Sequence, residues 1–395
     1  MIQTYHAGRH FLQIPGPTNV PDRVLRAIDQ PTMDHRGPAF GRFGLELLGK
    51  LRAVFKTHGP VVVFPASGTG AWEAALVNTL SPGDTVLMCR TGWFATLWRE
   101  MAERLGLAPI LIETDWRRGA DVPAIAEALA KDTAHRIKAV CVVHNETSTG
   151  CASHIDAVRR ALDAEGHPAL LLVDTISSLA SLPFRMDDWG VDAVVGGSQK
   201  GLMCPTGMSF TAASGKAMEA HGRARLARFY FDWTIMLARK PHMSFVGTVP
   251  VNAFYGLREA LRLIEEEGLD TLVARHAYLA EGVRRAARVW AGNDGPQLFC
   301  LNPARHSDSV TAIWMPEGHD AEAVRRTARH RYNVSLGGGL GKLGGRVFRI
   351  GHMGDLNEPM ILGALSSVEM SLRLVGIPHG RGGVEAAMAW FSGAG

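Results

Sequence analysis

From about residue 60 to 215, short apolar runs alternate with polar loops and with segments of helical periodicity. This order is typical of β-α units, so it predicts a mostly parallel sheet. Seven of the apolar runs are the predicted strands, at residues 61–64, 85–88, 109–112, 139–143, 170–173, 193–195 and 208–211.

The segment between the fourth and fifth predicted strands has the clearest helical pattern. Ile155, Val158 and Leu162 recur on one face, Ser153 is the predicted N-cap, and Gly166 is the predicted end. Residues 215–250 then interrupt the rhythm with basic and aromatic residues. We expect this irregular excursion to cover a site or to contact another subunit.

The C-terminal third has a different order of elements, which predicts a smaller α+β domain. Helices are predicted at residues 251–267, 272–290, 321–332 and 358–375, and strands at 309–314 and 347–350. A chain of 395 residues exceeds what one core normally supports. We therefore expect three parts: an N-terminal arm (1–20), a large domain (21–265) and a small domain (266–395).

Composition narrows the class of protein. The 42 Lys and Arg exceed the 38 Asp and Glu by only four, without long runs of one sign, so nucleic acid is not expected as a partner. Five scattered cysteines lack the spacings of a zinc site, so no metal is expected and a reducing interior fits best. Because neither a signal sequence nor a long apolar stretch is visible, we expect a cytoplasmic protein without a membrane span.

The segment from residue 170 to 202 carries the strongest chemical signal. Asp174 comes at the carboxyl end of one apolar strand, and Lys200 follows the next strand across a Gly-Gly-Ser-Gln turn. Open α/β sheets collect ligands outside these strand ends. An enclosed amine can form a Schiff base with an aldehyde, and a carboxylate can keep a pyridine nitrogen protonated. Alone, the two residues would suggest a solvated lysine and a helix N-cap, but together they suit pyridoxal-phosphate chemistry.

Two glycine-rich segments are candidates for phosphate binding. In the first, a predicted strand runs into Ser67-Gly68-Thr69-Gly70 and then a helix, whose exposed N–H groups and dipole favour an anion. Such turns also occur for packing reasons alone. The second contains Gly339, Gly341 and Gly344, but it follows no clear strand and lacks the Ser or Thr of a P-loop. We predict that it is a flexible loop near the substrate entrance.

Seven motifs occur in order between about residues 10 and 375: IPGPTNVP (14–21), MDHR (33–36), FPASGTGAWE (64–73), HNETSTG (144–150), VDTISSL (173–179), GGSQKGL (196–202) and FRIGHMGDLNE (348–358). Together they resemble the class V aminotransferases of fold type I, within them the serine–glyoxylate and alanine–glyoxylate group. The resemblance implies an α/β fold with a large, mostly parallel seven-stranded sheet domain, a smaller C-terminal α+β domain and pyridoxal 5′-phosphate as cofactor.

The resemblance also implies roles for individual residues. Lys200 would hold the cofactor covalently and carry the proton during amino transfer, and Asp174 would pair with the pyridine nitrogen. Further cofactor contacts would come from Ser67, Gly68, Thr69, Phe94, Thr147, Gln199 and, across a dimer interface, Thr248. Arg349 would bind the substrate α-carboxylate through its two-pronged guanidinium. Other substrate contacts would come from Gly16, Asn145 and Gly247.

Two positions depart from the pattern of the family. Phe94 stands where many relatives have a Trp over the pyridine ring, and a Phe can still stack there. Gly247 stands where serine–glyoxylate enzymes have a Tyr, so the pocket rim supplied by the neighbouring subunit is expected to be wider. His35 and Arg36 of the MDHR motif are compatible both with a surface or interface pair and with a substrate contact.

The activity implied by this resemblance is transamination from serine to glyoxylate, which yields glycine and hydroxypyruvate, in a homodimer with shared active sites. Alanine or aspartate as amino donor is an alternative. A lyase or cysteine desulfurase of the same fold would need a nucleophilic cysteine, and Cys300 lies in an apolar context that suits a buried thiol. A binding module without catalysis would tolerate loss of Lys200, Asp174 or Arg349, and all three are present.

Overall fold

The seven apolar runs predicted as strands form one sheet in the computed structural model, which describes residues 8–237 and 245–393. The strands in these ranges are β1 Phe11–Gln13, β2 Val61–Phe64, β3 Thr85–Arg90, β4 Ala108–Glu113, β5 Ile137–Val143, β6 Asn145–Glu146, β7 Cys151–Ala152, β8 Leu170–Asp174, β9 Ala193–Gly197, β10 Ser209–Ala213, β11 Gln297–Leu298, β12 Val310–Trp314, β13 Val334–Gly338 and β14 Val347–Gly351.

The helices of the described ranges cover both faces of this sheet and build much of the C-terminal part. They are α1 Asp22–Ile28, α2 Pro38–Phe55, α3 Gly68–Thr79, α4 Trp93–Arg104, α5 Val122–Lys131, α6 Ile155–Ala164, α7 Gly215–Arg223, α8 Trp233–Met236, α9 Val251–Glu267, α10 Leu269–Trp290, α11 Ala321–Tyr332, α12 Glu358–Val375 and α13 Gly383–Phe391. Two short 3-10 helices lie at Pro303–Arg305 and Gly341–Leu343.

The central sheet has the order β2-β10-β9-β8-β5-β3-β4. Strands β9, β8, β5, β3 and β4 are parallel to one another, and β10 is antiparallel to both of its neighbours. Every residue of β2, β8, β9 and β10 is buried. Burial on both faces explains why these strands are near-continuous apolar runs rather than alternating patterns.

A second sheet joins the two ends of the chain. Its order is β1-β13-β14-β12-β11, in which β1 is parallel to β13 and the other pairs are antiparallel. The N-terminal strand β1 therefore belongs to the same sheet as the C-terminal strands. Neither β1 nor β13 was predicted from the sequence.

Buried side chains form two main clusters. The larger extends from Val24 to Leu272 in sequence and contains the central sheet, and the second extends from Leu279 to Ala387. Helix α10 contributes to both, because its first turns pack in the larger cluster and its later turns in the second. The ranges 1–20, 21–265 and 266–395 stay a prediction.

Three local predictions were wrong. Ser153 is not the N-cap of α6, since His154 precedes that helix and the Ser153 hydroxyl instead accepts from the Ala120 N–H at 3.2 Å. Helix α7 lies inside the segment predicted to be irregular, capped by Ser214, whose hydroxyl accepts from the Ala217 N–H. The glycine motif at residues 339–344 does follow a strand, β13, although it leads into an antiparallel return and not into a βαβ unit.

The described residues contain neither a membrane-spanning helix nor a cluster of metal ligands. None of their helices combines the length and the apolar character that crossing a bilayer requires. Within the same residues, no group of three or more His, Cys, Asp and Glu side chains is arranged to hold a metal ion.

Candidate active site

One cavity lies where the carboxyl ends of neighbouring strands of the central sheet meet. Asp174 ends β8, and Lys200 follows β9 by three residues, so two adjacent strands bring the acid and the amine together. The volume of the cavity is about 140 Å³. Its lining residues are Ser67, Gly68, Thr69, Trp72, Phe94, Thr147, Asp174, Ile176, Ser177, Gln199 and Lys200.

The Lys200 amine is held by a segment that is distant in sequence. Its Nζ donates to the Pro15 carbonyl, and the next residue, Gly16, has a φ of +93°, which favours glycine. Burial, together with the positive charge of Arg349, lowers the pKa of the Lys200 amine to about 8, although the Asp174 carboxylate opposes both effects. A substantial neutral fraction near physiological pH makes the amine a nucleophile.

Asp174 is a buried carboxyl group whose surroundings disfavour its charge. Burial raises its pKa to about 7, and the negative charge of Glu146 acts in the same direction. The Ile176 N–H, which donates to its Oδ1 at 2.7 Å, and the Trp72 indole N–H lower the pKa. A cation placed against Asp174 would stabilise the carboxylate form.

The first turn of α3 supplies further donors to the lining of the cavity. Ser67 is the N-cap of this helix, and its carbonyl accepts from the Gly70 N–H at 2.9 Å. Gly68 and Thr69 are the first two residues of α3, and a helix leaves the amides of its first turn without an intrahelical acceptor. A Cβ at Gly68 would lie 2.5 Å from the Ile176 Cδ1, so the backbone can approach this closely only without a side chain. The helix end is therefore open to an anion.

An unpaired polar atom tests whether a cofactor fits the cavity. The Gln199 Oε1 is buried and has no hydrogen-bond partner among the described residues. Buried polar groups normally have partners, so this atom at a cavity indicates a polar ligand. A carboxyl group, the amides at a helix start and an amine around one cavity match the pyridine nitrogen, the phosphate and the aldehyde of the cofactor. The residues present thus fit pyridoxal 5′-phosphate.

Arg349 lies beside the cavity on β14 and is only 6% exposed. Its Nε donates to the Gly338 carbonyl at 2.8 Å, and its Nη1 donates to the Thr147 carbonyl at 2.9 Å. Burial lowers the pKa of the guanidinium to about 10, while the Glu146 carboxylate raises it. Arginine stays charged at neutral pH even with this shift, so the group is a fixed cation near Lys200.

Five predicted substrate or cofactor residues lie outside the lining of this cavity: Arg349 and Gly16, which lie beside it, and Asn145, Gly247 and Thr248. Gly247 and Thr248 are exposed on the surface of their own chain. The Asn145 Nδ2 donates to the Ser177 and Ser309 hydroxyl groups at 2.8 and 2.7 Å, so this amide connects β6 to the start of β12. His35 and Arg36 are not among the lining residues.

Sequence reasoning missed three lining residues, although their positions carried a signal. Trp72 follows Thr69 by three residues on the same face of α3, and Ile176 and Ser177 follow Asp174 by two and three residues. The Ser177 hydroxyl accepts from the Thr147 hydroxyl at 2.7 Å and donates to the Asn145 carbonyl at 2.9 Å.

The glycine loop predicted near the substrate entrance packs against the start of α4. A Cβ at Gly341 would lie 2.9 Å from the Trp93 Cζ3, and Lys342 Nζ lies 4.2 Å from the centre of the Trp116 ring. Trp93 directly precedes Phe94, which lines the cavity. The loop is therefore separated from the cavity by the first turn of α4.

Comparisons with known proteins agree with this geometry. Residues 10–340 match the sequence profile of the family described as Aminotransferase class-V. The chain is 49% identical over 397 residues to the serine–glyoxylate aminotransferase of Methylorubrum extorquens, covering 99% of this chain and 98% of that protein. It is 46% identical to the L-aspartate–glyoxylate aminotransferase of Paracoccus denitrificans, covering 95% and 94%.

Solved structures share the fold as well. The alanine–glyoxylate aminotransferase from Nostoc sp. superposes with a TM-score of 0.86 at 32% identity, covering 94% of this chain and 98% of that one. A profile match over most of the chain and relatives near 50% identity over its whole length assign the family on independent grounds. The chain belongs to the class V aminotransferases, which are pyridoxal-phosphate enzymes of fold type I.

Proposed function

We propose that this aminotransferase moves the amino group of serine to glyoxylate and so produces hydroxypyruvate and glycine. The observation that carries the chemistry is the cavity between Asp174 and Lys200 at two adjacent strand ends. The choice of substrates is supported by the 49% identity to a serine–glyoxylate aminotransferase over nearly the full length of both chains.

The cavity residues would divide the binding of pyridoxal phosphate between them. Asp174 would hold the pyridine nitrogen, and Phe94 would stack on the ring. The phosphate would lie on Ser67, Gly68 and Thr69 with Gln199 beside them, and Thr147 would contact the 3-hydroxyl. Pyridoxal phosphate, when bound, accepts the electron pair released from the substrate Cα, which is what permits amino transfer.

Lys200 and Arg349 would both contact the substrate. The Lys200 amine, with its lowered pKa, would bind the cofactor covalently and later carry the proton taken from the substrate Cα. Arg349 would bind the α-carboxylate of both substrates, because a guanidinium presents two parallel N–H donors to a carboxylate. The hydrogen bond from the Arg349 Nη1 to the Thr147 carbonyl fixes one edge of the guanidinium, so its positive charge stays beside the cavity. Gly16 would contact the substrate next to Lys200. Asn145, two residues before Thr147, is the other residue that we propose for substrate binding.

A homodimer with shared sites is the assembly that we propose. Thr248 and Gly247 are exposed on their own chain, which suits residues that reach the site of a neighbour. Large apolar side chains are exposed on the preceding segment, with Phe229 at 83% and Tyr230 at 41%. Exposed aromatic residues of this kind are enriched at subunit interfaces.

Mixing two inactive variants tests this sharing of sites. In a mixed dimer of Lys200→Ala and Thr248→Ala chains, one of the two sites would combine the native Lys200 with the native Thr248. Random mixing at limiting cofactor should therefore restore about a quarter of the wild-type activity. A mixture no more active than its parents, or an active monomer in light scattering, would contradict the shared sites.

Aspartate is the second candidate donor, because an L-aspartate–glyoxylate aminotransferase is 46% identical to the chain. Alanine is the third, from the likeness to the Nostoc enzyme. A desulfurase is disfavoured, since Cys300 is only 6% exposed and its Sγ lies 3.6 Å from the carbonyl oxygens of Asn302 and Arg305. The five free cysteines support a reducing compartment, and we propose the cytoplasm.

The experiment that tests the function is a donor panel assayed against glyoxylate. We expect serine to have the highest kcat/KM, with alanine and aspartate below it. Lys200→Ala should lose covalent cofactor binding and fall in rate by several orders of magnitude, because the nucleophile and the proton carrier are one group. A Lys200→Ala variant with near-normal turnover would refute the assignment of the lysine, and a panel without activity on glyoxylate would refute the acceptor.

A further inference from the structure

Glu146 is a buried carboxylate that has no part in the function proposed above. It ends β6 and is only 1% exposed. Its Oε1 accepts from the Phe94 N–H at 3.3 Å, and its Oε2 accepts from the Ala95 N–H at 3.1 Å. The Ser148 hydroxyl donates to Oε1 at 2.6 Å. Burial raises the pKa of the Glu146 carboxyl, and these donors oppose that rise because they stabilise the charged form.

These bonds attach the turn between β6 and β7 to the first turn of α4. The Ser148 hydroxyl also accepts from the Trp93 N–H at 3.0 Å, so the turn binds three successive amides that a helix leaves unpaired at its start. Helix α4 has no side-chain cap of its own, because its N-cap is Gly92. A Cβ there would lie 2.5 Å from the Glu146 Cδ, so the carboxylate takes the space of a local cap.

The same turn is connected to the cavity through two lining residues, Phe94 and Thr147. The amide that Oε1 binds belongs to Phe94, whose side chain lines the cavity, and Thr147 lines it between Glu146 and Ser148. The Thr147 carbonyl accepts from the Arg349 Nη1 at 2.9 Å. The Glu146 charge also raises the pKa values of Arg349 and Asp174. The Glu146 carboxylate thus contacts the backbone of Phe94, and its charge acts on both Arg349 and Asp174.

We propose that Glu146 is a positioning residue of the aminotransferase. By holding the start of α4 it keeps Phe94 against the cofactor ring, and through the 146–148 turn it keeps Arg349 directed at the substrate carboxylate. This inference rests on the proposed function, since it assigns the residue to the same site.

The test compares two helix-capping glutamates. Glu146→Gln keeps the shape of the side chain but removes its charge and one acceptor. The matched control is Glu369→Gln, because Glu369 caps α13 from another helix in the same way, accepting from the Val384 N–H at 3.2 Å and the Trp290 indole at 2.9 Å. Those partners belong to the second core cluster, away from the cavity. The measurements are the melting temperature without cofactor, the pyridoxal-phosphate dissociation constant from visible circular dichroism, and KM and kcat.

Both variants should lower the melting temperature without cofactor, because each loses a cap, and the loss should be larger for the more deeply buried Glu146. Only Glu146→Gln should weaken pyridoxal-phosphate binding and raise KM for serine and for glyoxylate, each by about tenfold, the size expected from hydrogen bonds to a charged group. Cofactor affinity and KM within twofold of wild type, or an equal loss in Glu369→Gln, would overturn the proposal.

A milder variant covers the case in which Glu146→Gln does not fold. Ser148→Ala removes the acceptor of the Trp93 N–H and one donor to Glu146. It should weaken cofactor binding by about threefold, and unchanged binding would overturn the proposal. Wild-type protein that neither binds pyridoxal phosphate nor transaminates would refute the proposed function itself. Active wild-type protein with an unaffected Glu146→Gln variant would refute this inference alone.

Discussion

At the scale of single residues, the free Lys200 amine is the group whose ionisation should be visible in cofactor uptake. Burial and the Arg349 charge lower its pKa to about 8, so the neutral form grows through the physiological range. Only the neutral amine attacks an aldehyde. The rate of pyridoxal-phosphate uptake by cofactor-free protein should therefore rise about tenfold per pH unit below 8 and level off above it.

Stopped-flow absorbance at constant ionic strength, in buffers without amines, measures this dependence. Arg349→Gln is an informative variant, because it removes one cause of the lowered pKa and should move the midpoint to higher pH. A rate that stays flat between pH 6 and 9 would contradict the role of the Lys200 amine.

Arg349 supports a second prediction at the residue scale. Arg349→Lys keeps a positive charge but loses the fork of two donors, and the Gly338 and Thr147 carbonyls lose their present partner. We expect KM to rise for the amino donor and for glyoxylate, with a loss of about 2–4 kcal/mol in transition-state stabilisation. Because both half-reactions use the same carboxylate clamp, single-turnover kinetics should show the defect in each. A defect confined to one half-reaction would count against the shared clamp.

Gly247 is the contrasting position. It is exposed, has a φ of +62°, and a Cβ there would meet no atom within 4 Å. Gly247→Tyr should shift the preference among serine, alanine and aspartate and leave glyoxylate unchanged, at a strain cost of about 1 kcal/mol from the left-handed backbone. An equal change for glyoxylate and for the donors would contradict this division of the pocket. The matched control is Gly247→Ala, which carries the same strain without the ring.

At the scale of elements, the end of β14 and the segment after β1 pack backbone against backbone. A Cβ at Gly351 would lie 2.5 Å from the Ile14 carbonyl carbon, and the next carbonyl, that of Pro15, holds the Lys200 Nζ. Gly351→Ala must therefore push the two segments apart. We expect a loss of about 1–3 kcal/mol in the free energy of unfolding, measured with urea, together with weaker cofactor binding.

Gly49→Ala is the control for this substitution. Gly49 lies in the middle of α2, is exposed, and a Cβ there would meet no atom within 4 Å. The same chemical change should stabilise the protein by about 0.5–1 kcal/mol, since alanine favours a helix over glycine. If both substitutions had the same effect, close approach at Gly351 would not be the cause.

At the scale of the whole molecule, buried neutral histidines should make stability depend on acid. Burial lowers the pKa of His276 to about 4 and that of His352 to about 3. The His276 Nε2 accepts from the Gly354 N–H at 2.9 Å, and this bond is lost on protonation. Because both pKa values lie below that of an unfolded histidine, stability is complete above about pH 6.5 and falls as the pH drops towards 4.

The expected loss at pH 5 is about 2 kcal/mol for each of these histidines. Urea unfolding at pH 5 and pH 7.5 measures the difference. His276→Asn should reduce the slope of stability against pH, even if it lowers stability at pH 7.5. His330→Asn, at an exposed position of α11, should leave the slope unchanged. Equal slopes in both variants would show that other groups cause the acid sensitivity.

Much of the fold and of the catalytic pair follows from local sequence. The seven runs that became the central sheet are apolar because strands covered on both faces bury every side chain, so their pattern was visible without tertiary information. Asp174 and Lys200 follow two such runs, and the carboxyl ends of adjacent parallel strands meet at one edge. The sequence alone therefore determined the sheet, the family and the two central residues of the site.

The resemblance had assigned Gly16, Thr147 and Arg349 to that site, but only the tertiary structure decided which contacts join these distant segments. Pro15 lies 185 positions from Lys200 and Thr147 lies 202 from Arg349, and each is joined to it by a single hydrogen bond. No periodicity encodes such contacts, because the energy of each depends on how the second sheet, with β1 beside β13, sits against the first. The capping of α4 by Glu146 could not be predicted for the same reason. A capping pattern is recognised from residues next to the helix in sequence, whereas Glu146 comes from a distant segment of the chain.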